Sequence, residues 1–100
     1  MPRLPEDCET MADVRAGVDA TDRELVELLD RRFGYMRAAA RIKPTRGAVR
    51  DEARKASVIA AAVAEAAAQG VPAEVVADIW ERLVEGSITF EFSEWDRVRG

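Results

Sequence analysis

The sequence contains no histidine. Acid–base catalysis by an imidazole is therefore excluded, and so are most zinc sites, which draw on histidine or on several cysteines. Cys8 is the only cysteine, so no disulfide can form within the chain. It stands in a polar segment broken by Pro2 and Pro5, which reads as a loose N-terminal arm rather than the setting of a reactive thiol. Aromatic residues are scarce, at 6%. No apolar run reaches the length of a membrane span, and the opening MPRLPEDCE lacks the apolar core of a signal peptide. The cytoplasm is the expected compartment, and no membrane partner is expected.

What is present favours helices. The chain is 48% hydrophobic and rich in alanine, so it should fold into helices with closely packed small side chains. Its 100 residues suit one domain, with residues 1–9 as an arm and 10–100 as a single helical domain. So short a chain buries only a modest core, and association with a second copy would extend it. The net charge of -4 argues against nucleic acid, whose backbone calls for a broad basic surface. One segment runs against this balance. RRFGYMRAAARIK, residues 31–43, holds five basic residues and no acid.

Three helices are expected. Thr10 or Asp13 caps the first, whose stripe is Val14, Val18, Leu25, Leu28, Leu29, Met36 and Ala40. Pro44 stops it after about thirty residues, roughly 45 Å at 1.5 Å per residue. A helix that long either supports an extended bundle or packs against a partner chain. The stretch PTRGAVR reads as a loop. A second helix runs from near Asp51 to Gln69, with Gly70 as terminator and Val58, Ile59, Ala62 and Ala66 on its apolar face. Pro72 fits the first turn of a third, which carries Val75, Val76, Ile79, Leu83, Ile88, Phe90 and Trp95.

Helical phase sorts the basic segment. Arg31 has Glu27 one turn before it, Arg37 lies off the apolar stripe, and Arg41 projects opposite Arg32 into solvent. Arg32 follows Leu28 by four and precedes Met36 by four, with no acid three or four positions away. Lys43 comes eleven residues later on the same face. A cation on that face needs an anion: a carboxylate of another helix, a bound anionic ligand, or an escape to solvent along its own stem. Taken alone, Arg15 reads as a pair with Asp19, and Arg54 as a pair with Asp51. Arg15 and Arg32 are about 25 Å apart along one rod. They can grip one small molecule only if a second copy runs antiparallel, which makes two identical sites per dimer.

The matching pieces are PEDC (residues 5–8), MADVRAGVDATDRELVELLDRRFGYMRAAARIK (11–43), DEAR (51–54) and WERLVEGSITFEF (80–92). Through them the sequence resembles the all-helical chorismate mutase family, and within it the small isochorismate pyruvate lyase branch. The resemblance implies an all-α fold. Three-helix chains with a long first helix intertwine as a homodimer, and each pocket takes residues from both copies. It further implies a small dianionic substrate, chorismate or isochorismate, with no cofactor and no metal. By this resemblance Arg15 of the partner copy, Arg32 and Arg54 hold the substrate carboxylates. Lys43 bonds the ether oxygen of the enolpyruvyl group.

The last family position, normally glutamine, falls on Glu91. An ionised glutamate cannot donate a hydrogen bond as glutamine does. Some mutases, notably the fungal kind, use a protonated glutamate there. Asp51 and Ser87 match pocket residues of mutases, and Ile88 stands beside Ser87 among the substrate-binding residues. Lys55 occupies the place where bacterial mutases carry a glutamate that meets the ring hydroxyl. That substitution suits isochorismate or a 4-amino analogue. The activity implied first is conversion of chorismate to prephenate. Cleavage of isochorismate to salicylate and pyruvate follows, then mutation of the amino analogue, then a helical interaction module without catalysis.

Overall fold

A computed structural model describes all 100 residues. The chain divides into two compact units, Met1–Gly34 and Tyr35–Gly100. Three α-helices account for most of it: α1 (Met11–Ile42), α2 (Glu52–Gln69) and α3 (Ala73–Arg99). The all-helical class, the long first helix and its stop before Pro44 are as the sequence predicts.

In the first unit, both candidate caps of α1 work together. The Thr10 hydroxyl accepts from the Asp13 N–H at 3.1 Å, and the Asp13 carboxylate accepts from the Thr10 N–H at 3.2 Å. This reciprocal box satisfies N–H groups that a helix start leaves without partners. The preceding arm is less loose than its prolines suggest. Pro5–Asp7 form a 3-10 turn, and the Cys8 thiol reaches the Leu4 carbonyl at 3.5 Å. Arg3 lies 3.7 Å from Asp13. A cavity of about 450 Å³ separates arm and helix, lined by Leu4, Cys8, Val14 and Val18 among others. The apolar stripe of α1 is largely uncovered: Val14, Val18, Leu25, Leu28 and Leu29 are all exposed.

The second unit holds the core. Val49, Val84 and Ile88 are buried, and Val58, Ile59, Trp80, Phe92 and Trp95 pack around them. Each fully buried aliphatic side chain contributes about 1.5–3 kcal/mol. No large side chain is completely buried, so this core is shallow. Val49 comes from the segment read as a loop; Arg46–Val49 form a 3-10 turn that carries its side chain inward. Asp51 caps α2 by accepting from the Arg54 N–H at 3.0 Å. Alanines then let α2 lie close to α3.

At the other end of α2, Gly70 takes φ 73° and ψ 20°, the left-handed conformation that glycine adopts without strain. The Val71 N–H reaches the Ala66 carbonyl at 2.8 Å and the Gly70 N–H the Ala67 carbonyl at 3.3 Å. This pattern is the Schellman ending that satisfies the last carbonyls of a helix. Pro72 serves as the residue just before α3 instead of within its first turn. Val75 and Ile79, placed by periodicity on the apolar face of α3, are exposed. Gly70→Ala is expected to destabilise the protein by about 1–2 kcal/mol, because alanine is strained at positive φ. The check is a lower urea midpoint with an unchanged slope.

Candidate active site

Lys43 follows the last residue of α1, and its N–H still bonds the Ala39 carbonyl at 2.9 Å. The proline after it ends the helix, so the Lys43 side chain leaves from a fixed last turn. Its ammonium meets the Glu91 carboxylate at 2.6 Å. The Glu91 side chain is 5% exposed, that of Lys43 30%. A carboxylate so deeply buried requires a cation, and Lys43 supplies it. A second, longer contact of 3.5 Å runs from the ammonium to the Val49 carbonyl. Glu91 therefore acts here as an acceptor.

Other predicted residues surround this pair on α3. Ser87 and Ile88, four and three residues before Glu91, are both buried. The Ser87 hydroxyl donates to the Leu83 carbonyl at 2.7 Å. The α2 residues are arranged differently. Asp51 spends its carboxylate on the helix cap, and the Arg54 guanidinium extends into solvent without pairing with it. Lys55 turns to α3, donating to Glu81 at 2.8 Å and Glu85 at 2.9 Å. In the first unit, Arg32 is half-buried and Arg15 is exposed. Neither of the local pairs read from spacing, Arg15 with Asp19 or Arg31 with Glu27, is formed. Arg41 is exposed, as expected; Arg37, also exposed, lies over the Phe90 ring at 5.9 Å.

A buried carboxylate paired with a half-buried ammonium, on an all-helical frame without imidazole, makes a site built from charges. The sequence profile of the chorismate mutase type II family matches residues 14–92. The chain belongs to that family. It is also 30% identical over 98 residues to an isochorismate pyruvate lyase of Pseudomonas aeruginosa, covering 98% of this chain and 97% of the relative. The chorismate mutase type II match takes in Arg15, Arg32, Lys43, Arg54 and Glu91.

Several contacts of Lys43 and of the turn after it in this family member have no local signal in the sequence. Trp95 donates its indole N–H to the Lys43 carbonyl at 3.0 Å, and Arg99 donates to the same oxygen at 2.8 Å. Arg46 makes a two-pronged bond to Asp96, at 2.9 and 3.2 Å, with its guanidinium 4.6 Å from the centre of the Phe92 ring. Arg50 binds Glu85 through both terminal nitrogens, at 2.9 and 3.2 Å, and also reaches Glu52. Each of these ties the 3-10 turn or its flanks to a neighbouring helix. No short sequence spacing announces them, since most partners lie 35 to 56 residues away.

Hydrogen bonds from Arg50 and then Lys55 hold the Glu85 carboxyl down at about 2. Arg50 and Lys55 are pushed up in return by their acidic partners. A carboxyl depressed on folding contributes stability above its unfolded value of 4.5, and loses it as pH falls towards about 2. Glu85→Gln should therefore lower the melting temperature by a few degrees at neutral pH. The gap from the unmutated protein should close through that acidic window in a series of thermal melts.

Proposed function

We propose that the protein converts chorismate to prephenate, working as a homodimer in the cytoplasm. The pairing of Lys43 with the buried Glu91 carries this reading. A [3,3] rearrangement needs no proton carrier, covalent intermediate, metal or cofactor. It needs a flexible dianion folded into a chair-like shape and stabilisation of the charge that grows on the ether oxygen as the C–O bond breaks. Arg32, Arg54 and Arg15 of the partner copy hold the carboxylates by charge-assisted bonds. The ammonium of Lys43 meets the ether oxygen, and Glu91, once protonated, donates to the same atom. The uncovered stripe of Val18, Leu25 and Leu28 supports the dimer, because it leaves apolar surface for a second copy. No helix is long and apolar enough to cross a membrane.

The second reading is cleavage of isochorismate to salicylate and pyruvate, with a hydrogen passing to the enolpyruvyl carbon. It is favoured by the similarity, along nearly the whole chain, to a protein named isochorismate pyruvate lyase. Two features that resemble mutases have local duties in the structure. Asp51 caps α2 and Ser87 bonds within α3, so they weigh less in the choice than Glu91 does. Lys55 is engaged by two carboxylates, and no acid of α2 is available at that place for a ring hydroxyl.

Product analysis on chorismate, isochorismate and the 4-amino analogue separates these readings. Prephenate is expected from chorismate. Salicylate with negligible prephenate would install the lyase instead, and no turnover by a dimer would indicate an interaction module. Lys43→Met should lower kcat by about a hundredfold or more, the scale for removing one donor at a developing negative charge. Glu91→Gln should keep kcat within a few-fold, since the glutamine NH₂ donates to the same oxygen, and a loss as large as that of Lys43→Met would count against Glu91 as a donor.

A further inference from the structure

Glu91, Trp95 and Arg99 follow one another at intervals of four, and so form one stripe along α3. All three reach Lys43. Glu91 takes its ammonium, while Trp95 and Arg99 take its carbonyl. Arg99 also donates to the Ala40 carbonyl at 2.9 Å, so its fork spans the last turn of α1. The guanidinium is itself steadied: it lies 4.1 Å from the centre of the Trp95 ring and contacts the Trp95 carbonyl at 3.3 Å.

We propose that Arg99 and Trp95 are positioning residues for the Lys43 ammonium. The inference rests on the function proposed above. The final carbonyls of a helix have no partners within it, and the last turn frays unless something else binds them. Here the last turn bears the ammonium that must meet a reacting oxygen. A guanidinium is well suited to hold it. Its planar fork bonds two carbonyls at once, and its charge faces the negative end of the α1 dipole. Lysine at position 99 carries the charge but lacks the fork. An indole N–H adds a third donor from the same helix. With its backbone held at the carbonyl and its side chain held at Glu91, Lys43 has little freedom left. Small misplacements at a reacting centre are expensive in rate, and an ångström can cost about a hundredfold.

The experiment compares Arg99→Ala, Arg99→Lys and Trp95→Phe with Arg97→Ala, whose guanidinium pairs with Glu94 on the surface. Arg99→Ala is expected to lower kcat about tenfold or more with KM within about twofold. Arg99→Lys should restore part of the loss, Trp95→Phe should lower kcat less, and Arg97→Ala should change neither constant. A second readout needs no substrate. The chain has two lysines, Lys43 and Lys55, so the ammonium resonances of protein labelled with ¹⁵N-lysine can be assigned with a Lys55→Arg variant. The Lys43 signal should be sharp and protected from exchange in the unmutated protein, and broadened in Arg99→Ala. If that signal is the same in both proteins, the positioning role is wrong whatever the kinetics show. An unchanged kcat in Arg99→Ala, or a loss that only tracks the melting temperature and is not relieved by lysine, overturns it too. If the wild type acts on none of the three substrates but the signal still responds, the functional reading fails and the positioning of Lys43 stands.

Discussion

A buried carboxylate cannot be left without a cation, and Glu91 obliges its unit to bring one. The answer is the ammonium at the end of α1. Satisfying it fixes the distance between the end of that helix and the middle of α3. It also fixes where the chain must go next, because the same ammonium reaches the Val49 carbonyl and Val49 is itself a core residue. Buried ion pairs add little net stability, but an isolated member is costly. The pair therefore acts chiefly on register. It selects one arrangement of α1, the 3-10 turn and α3 from those that a shallow, alanine-rich core would otherwise tolerate.

The charged side chains outside that pair extend the same arrangement outward. Arg46 and Arg50 flank Val49 in sequence, and each grips α3 through two nitrogens. Exposed pairs of this kind are individually weak. Placed on both sides of a single inward-pointing valine, they keep the turn from peeling away. Lys55 joins them by sharing Glu85 with Arg50. The acidic balance of the chain is thus not a uniform coat. Several of its carboxylates are partners to cations that order the connection between α1 and α2.

Local signals wrote the helix boundaries plainly. Thr10 with Asp13, Pro44, Asp51 and Gly70 each act within three or four residues of themselves, and the structure uses every one. The prominence of Lys43 and Glu91 was also legible, from helical phase and from the resemblance, although their mutual contact was not. What stayed hidden depends on long-range partners. Val49 looks like a loop residue until Val84 and Ile88 are folded against it. Arg99 looks like a solvated end until the carbonyls of α1 come beside it. Spacing misled in the opposite sense for Arg15 and Arg31, where an acid one turn away suggested ion pairs that solvated side chains do not hold. The α1 stripe was correctly read as apolar, but apolar periodicity does not say what will cover a face.

Trp95 has an optical consequence. The protein has only two tryptophans, Trp80 and Trp95, and both belong to the core cluster of the second unit. One of them donates its indole N–H to the backbone of Lys43 and carries a guanidinium on its ring face. Indole emission is sensitive to both. The molecule thus contains a native fluorophore hydrogen-bonded to the residue whose ammonium meets Glu91, and events at that residue are coupled to light without any added label.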